Sequence, residues 1–216
     1  MKRIALIILS LSLLCQAAAA QQTWFCSEAG TRLTYVQKDA AGALQNGTMQ
    51  YAVRDVQQTG SVTRIGYDVI VTDVAGASKT FTGSCAQTDG KSFTQDAGAF
   101  MGQFGTGLDV KGGAPAIPET PSVGAAAEDC SIVIDALMAD ARYSNIRFTR
   151  HEQVTTLAGT FDCWCLEYDV KGTVAFISID TKVEQWMAKG VGDVKVVTKS
   201  KNGKVQNIKE LVNIVK

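Results

Sequence analysis

The sequence predicts a mainly β protein: a curved antiparallel sheet or partly open β-barrel of about ten to twelve strands, with at most a short helix near residues 96–104. Three observations carry this reading. Apolar and polar residues alternate along most of the chain, turn residues interrupt the alternation roughly every eight to twelve positions, and apolar residues at helical spacing are scarce. Curvature follows because so many strands in a flat sheet would leave long exposed edges.

The chain opens on a different pattern. Met1-Lys2-Arg3 is a positive n-region, residues 4–14 are almost continuously apolar, and Ala17-Ala18-Ala19-Ala20 precedes Gln21. This is the signature of a secretory signal peptide over residues 1–20, with residues 21–216 expected to form a single β-rich domain. The expected location is the periplasm, the outer-membrane surface or the exterior. A lipid anchor on Cys15 is disfavoured because Leu13-Leu14, not small residues, precede it. The apolar run is too short to cross a bilayer, and no later stretch approaches the length needed, so no transmembrane span is expected in the mature chain.

The first strands follow in order. Residues 31–38 alternate Leu33 and Tyr35 against Arg32 and Thr34, Asp39-Ala40-Ala41-Gly42 turns the chain, and residues 47–56 return. Residues 62–72 place Ile65, Tyr67, Val69 and Val71 on one face, and Asp73-Val74-Ala75-Gly76 repeats the Asp-x-x-Gly turn. Residues 78–87 return, Thr88-Asp89-Gly90 turns, and residues 91–95 follow. Residues 96–129 hold all three prolines; there Phe100 and Phe104 with Met101 fit one helical turn, which would either close the core or cover a ligand cavity.

Alternation resumes over 131–135, 145–155, 160–170, 173–180, 182–188 and 191–199. Asn202-Gly203 is a hairpin signal, and it favours a strand over 205–215, where apolar spacing also fits a helix. The aromatics Trp24, Phe25, Tyr35, Tyr51, Tyr67, Phe148, Trp164 and Phe176 are expected to fill the inner face.

Charge excludes one class of partner. Removing Lys2 and Arg3 from the 21 basic residues, against 21 acidic ones, leaves the mature chain at about −2 with its cations scattered. No basic stripe is present for phosphates, so nucleic acid is not expected as a partner.

Chemistry-bearing residues are few. The mature cysteines are Cys26, Cys85, Cys130, Cys163 and Cys165, and all five are candidates for disulfides, with one thiol left over by the odd count. Residues i and i+2 of a strand sit about 6.6 Å apart while bridged Cβ atoms want about 3.8 Å, so a Cys163 to Cys165 bond is disfavoured on a regular strand. On such a strand Trp164 would be mostly buried with Leu166 and Tyr168. The two cysteines would then look the other way, toward a second layer reachable by Cys26, Cys85 or Cys130.

Cys163-Trp164-Cys165 lacks a second ligand pair for zinc and the spacing of a thiol redox pair. His151, within Arg150-His151-Glu152, reads as a solvated residue rather than part of a nucleophilic triad. Acidic residues are dispersed, with no adjacent carboxylate pair for glycosidic chemistry. Asn46-Gly47-Thr48 matches a glycosylation sequon, but a turn explains Asn-Gly better. No catalytic residue, cofactor or metal is assigned.

Residues 154–163 (Val-Thr-Thr-Leu-Ala-Gly-Thr-Phe-Asp-Cys) and 183–192 (Val-Glu-Gln-Trp-Met-Ala-Lys-Gly-Val-Gly) resemble the TapB-like family of exported Bacteroidetes proteins, related to domains of unknown function. The resemblance extends more loosely over residues 24–214. It implies a curved antiparallel β architecture in the envelope and no reaction. Leu157 stands where that family has proline, Asp193 where it has an apolar residue, and Cys165 is an addition; the first two are expected to change only turn and strand details. Ala158-Gly159-Thr160 reads as a tight turn, and Lys189-Gly190-Val191-Gly192 as a kink between strands.

The function expected is a non-enzymatic binding module that uses the concave face of its sheet for an apolar small molecule or an envelope protein. A scaffold without a small ligand is the alternative, and a hydrolase or redox enzyme is a third.

Overall fold

The computed structural model describes residues 22–95, 109–174 and 176–216, without the side chains of Asn46 and Val174. The expected signal peptide and the expected helix near residues 96–104 lie outside these residues.

Five strands form a first meander: β1 (Arg32–Lys38), β2 (Leu44–Thr59), β3 (Val62–Thr72), β4 (Ser78–Thr88) and β5 (Ser92–Gln95). Two short strands follow, β6 (Lys111–Gly112) and β7 (Ile117–Pro118). The second meander comprises β8 (Cys130–Ile134), β9 (Ala139–Thr156), β10 (Gly159–Val174), β11 (Ile177–Ala188), β12 (Gly192–Ser200) and β13 (Val205–Val215). All belong to one 13-stranded antiparallel sheet in the order β6-β8-β9-β10-β11-β12-β13-β1-β2-β3-β4-β5-β7. Pairing of β1 with β13 fuses the two meanders.

The sheet is curved and is not closed into a barrel. Its two end strands, β6 and β7, are consecutive in the chain and joined by only residues 113–116. At a reach of about 3.5 Å per residue, so short a link holds the opposite ends of the sheet within roughly 17 Å of each other. Residues 113–116 therefore act as a strap across the gap.

Local chemistry sets the turns. Asp39 Oδ1 accepts the backbone N–H of Ala41 and of Ala43, each at 2.9 Å, and Asp73 does the same for Ala75 and Ala77. Asn202-Gly203 turns β12 into β13, with Gly203 at φ 82° donating to the Ser200 carbonyl. The final segment is a strand. The segment 189–192 is the β11–β12 turn: Gly192 has φ 100°, and a Cβ there would stand 2.9 Å from Phe25 Cδ2.

Three expectations about elements are corrected. Asn46-Gly47 is no turn; it lies inside β2, where the register against β1 shifts between Val36 and Gln37. A bulge explains the pair. Residues 173–188 do not form two strands broken near Thr181: β10 runs on to Val174 and β11 is continuous from Ile177. Gly172 is not a boundary, because it is paired with Ala141 and its missing Cβ lets the Asp140 carbonyl approach. Phe176 does not fill the inner face. It sits in the β10–β11 turn, 81% exposed.

The principal core lies inside the curl. Trp24, Phe25, Leu33, Tyr35, Ile65, Tyr67, Phe148, Leu166 and Leu211 are buried there. Trp24 stacks on Phe148 at 6.2 Å between centroids, and its indole N–H donates to the Pro118 carbonyl. Phe25 pairs with Val191 in a parallel bridge and packs on Tyr67 at 5.1 Å. Segment 22–26 thus plugs the curl from within.

Candidate functional site

Beyond the plug, the concave face encloses a cavity of about 370 Å³. Strands from both meanders line it, and Ala114 and Pro115 of the strap complete its wall. Most of the lining is apolar or aromatic, including Met49, Phe93, Ile117, Ile132, Leu166, Val183, Met187 and Val196. Alternation produces this: inward positions of successive strands converge while their neighbours face out.

A row of polar and aromatic side chains, one from each of six adjacent strands, runs from the cavity wall into the core. Tyr168 on β10 donates its hydroxyl to Gln185 Oε1 on β11 at 3.1 Å. Gln185 Nε2 donates to Asp193 Oδ1 on β12 at 2.6 Å. Lys209 Nζ on β13 donates to Asp193 Oδ2 at 2.6 Å and lies 5.2 Å from the ring centroid of Tyr35 on β1. Tyr35 in turn meets the ring of Tyr51 on β2 edge-on at 5.5 Å, and its hydroxyl donates to the Asp193 carbonyl at 2.9 Å. Tyr143 on β9 extends the row beyond Tyr168, and Tyr67 on β3 extends it beyond Tyr51. All five tyrosines of the chain belong to it.

Lys209 and Asp193 are 19% and 22% exposed at their side chains. Burial pulls the Lys209 ammonium toward neutrality, but the attraction of Asp193, with its hydrogen bond and the nearby Tyr51, outweighs it and holds the pKa above the ordinary value. Burial likewise pushes Tyr35, Tyr51, Tyr143 and Tyr168 up, with Asp193 adding to the rise for Tyr35 and Tyr168. At neutral pH the row holds one ion pair and neutral phenols. Asp193 is therefore no mere strand detail; it is the centre of the polar row.

His151 and the cysteines, weighed for chemistry in the sequence, are elsewhere. His151 is on the exposed end of β9, stacked on Trp164 at 4.1 Å between ring centroids and 3.0 Å from Asp162 Oδ1. Trp164 is only half-buried, edge-on to Phe148. The sulfur-bearing residues are the fully buried ones: Cys163 and Cys165 are both 0% exposed. They occupy the convex face, Cys163 against Ala188 and Val194, and Cys165 beneath Arg150, whose Nη2 donates to its sulfur at 3.1 Å. Arg150 also lies over the Trp186 ring, and Trp186 donates to Glu152 Oε1 at 2.8 Å. Among the described residues, side chains of the same sheet rather than a second layer cover these thiols.

Cys26, Cys85 and Cys130 pack with the principal core on the concave side. The sheet stands between the two groups, and all five thiols are free in this structure. Burial pushes Cys85 and Cys163 up to about 12 and raises Cys130 and Cys165, which makes them poor nucleophiles at neutral pH. No group of three or more His, Cys, Asp or Glu suited to a metal ion occurs among the described residues.

A family profile described as DUF3108-like matches residues 28–211, from ahead of β1 into β13. The chain belongs to the DUF3108-like family. Two solved structures share its fold. One is a proposed exported protein with a YmcC-like fold from Bacteroides fragilis, with a TM-score of 0.77 at 19% identity, covering 90% of this chain and 100% of its own. The other is a proposed lipoprotein from Parabacteroides distasonis, with a TM-score of 0.75 at 21% identity, covering 90% of this chain and 99% of its own. No curated protein matches the chain. At these identities the likeness shows the fold of the DUF3108-like chain and leaves its cavity to be read from its own residues.

Proposed function

We propose that the protein is an exported envelope module that binds a mainly apolar small molecule in the cavity of its curled sheet, without chemical conversion. The observation that carries this is the cavity itself: about 370 Å³, apolar or aromatic over most of its wall, with the row of Tyr168, Gln185, Asp193 and Lys209 and the neutral polar side chains of Gln37, Gln95, Thr198 and Asn207. That combination is the usual form of a small-molecule site. The signal-like residues 1–20 and the descriptions of the two structural relatives support export. The TapB-like placement belongs to the same proposal, since both segments that suggest it fall within the matched span.

Mass spectrometry of organic extracts from mature protein purified out of envelopes tests the reading. A stoichiometric apolar molecule, reduced when Val196→Trp fills the cavity, is expected. Protein that carries none, and that binds no environment-sensitive apolar dye displaceable by lipids, would exclude it.

One feature favours a protein partner as a second reading. Met138 in the β8–β9 turn and Phe176 and Ile177 at the β10–β11 turn are 56%, 81% and 71% exposed, and these turns adjoin because Ala139 pairs with Val174. Exposed apolar residues gathered on neighbouring tips suit a protein contact. Crosslinking from a photoreactive residue at position 176 in intact cells distinguishes the readings, because a discrete protein adduct is expected only from the second.

A further inference from the structure

We infer that the cavity selects a neutral single-chain amphiphile, one whose head offers an ester carbonyl or hydroxyl oxygen as acceptor, over the free carboxylate of the same chain. The inference rests on the cavity-binding reading above and specifies its ligand.

Lys209 and Asp193 are the only charged side chains among the described residues that line the cavity. A lysine alone in an apolar pocket would invite a carboxylate. Here Asp193 neutralises it at 2.6 Å, and both Asp193 oxygens are occupied, Oδ2 by Lys209 and Oδ1 by Gln185. Gln185 cannot turn away freely, since Tyr168 donates to its oxygen while its amide N–H₂ group faces Asp193.

The row is thus fixed before any ligand arrives, and the proton count decides what it can take. An ammonium carries three N–H donors, and Asp193 uses one, so Lys209 retains donors for an acceptor in the cavity. A carboxylate reaching them would lose its hydration and meet the Asp193 charge at close range, where a low-dielectric wall makes like charges costly. A carbonyl or hydroxyl oxygen can accept the same proton without that repulsion. The alkyl chain would then lie along Leu166, Val183, Met187 and Val196, which line the same cavity.

The test compares 1-monolauroylglycerol with dodecanoate, both below micellar concentrations, on the wild-type mature protein at about pH 8, where the carboxylic acid is ionised. The neutral ligand is expected to bind about tenfold more tightly or better. Lowering the pH to about 5 should strengthen binding of the acid as it becomes neutral, and leave the glyceride unchanged. Asp193→Asn, which keeps size and removes the opposing charge, should raise the affinity for dodecanoate relative to the glyceride about tenfold.

Equal affinities in the wild type, or a preference for dodecanoate, would overturn the headgroup inference and leave the cavity reading standing. Failure of both ligands and of an apolar dye to bind would overturn both. The wild-type and pH comparisons stand even if the variant does not fold.

Discussion

The indole nitrogen of Trp24 lies 3.0 Å from the carbonyl oxygen of Pro118, tying the start of the described chain to the edge strand that ends the sheet. The same ring is fully buried and stacks on Phe148 of β9, near the sheet's other end. One side chain therefore spans the interior of the curl. Trp24→Ala is expected to destabilise the protein by about 3–5 kcal/mol, as for large buried aromatics. Trp164→Ala, at a half-buried site, should cost less. Urea unfolding of both variants checks the order.

Alkaline pH should unfold the protein cooperatively. Tyr35, Tyr51, Tyr143 and Tyr168 have folded pKa values raised chiefly by burial, whereas unfolded tyrosines ionise near about pH 10. Their contribution to stability is complete below that pH and is lost as pH rises toward the folded values. Lys209, also raised, acts with the same sign. Tyrosinate absorbance and loss of β-sheet circular dichroism should coincide; ionisation of these tyrosines well before unfolding would contradict the burial.

Thiol reactivity offers a third check. Native protein at neutral pH should react slowly with Ellman's reagent, because burial raises the Cys85, Cys130, Cys163 and Cys165 thiols and four of the five cysteines are buried. Denaturing the unreduced monomer then counts the bridges. Every free thiol labels, each disulfide removes two, and at least one label is expected. Any bridge found should join members of the Cys26, Cys85 and Cys130 group, since the sheet separates these from Cys163 and Cys165.

Gly172→Ala should cost about 2 kcal/mol or more, because an added Cβ would stand 1.9 Å from the Asp140 carbonyl oxygen and force β10 from β9. Gly203→Ala has open space around it, so only its positive φ opposes the change, and its cost should be smaller, about 1 kcal/mol. Thermal melts of the two variants separate collision from conformational strain.

Export predicts a processed N-terminus. Protein recovered from the envelope should begin at or within about two residues of Gln21. Terminal sequencing that finds Met1, or an acylated Cys15, would remove the signal-peptide proposal.

Alternation made the strands legible, because burial of one face imposes a period of two on residues such as Ile65, Tyr67 and Val69. The paired aspartate turns were legible too, since Asp39 and Asp73 act through bonds to residues two and four positions away. The β10–β11 turn was not: residues 174–177 read Val-Ala-Phe-Ile and contain no turn former, while Gly172 imitates one. The polar row was hidden for a different reason. Tyr168, Gln185, Asp193 and Lys209 are each isolated in the chain, and only the register of four strands brings them together. Two signs pointed there: an aspartate where the resembling family has an apolar residue, and a lysine amid the apolar positions of the last strand.

The strap at residues 113–116 also has a kinetic meaning. Each meander is built from neighbouring strands, so its pairings are local, whereas β1 must find β13 across most of the chain. That search carries the largest loop-closure entropy in the fold and belongs late in folding. The end of β13 already lies close to the segment that precedes β1, with Lys216 Nζ 2.7 Å from Glu28 Oε2. A circular permutant joining residue 216 to residue 22 and opened within the strap would place β13 directly before β1 and make that pairing local too. The cost falls on the two end pairings: β5 with β7 and β6 with β8 would then be the ones that must meet across almost the whole chain.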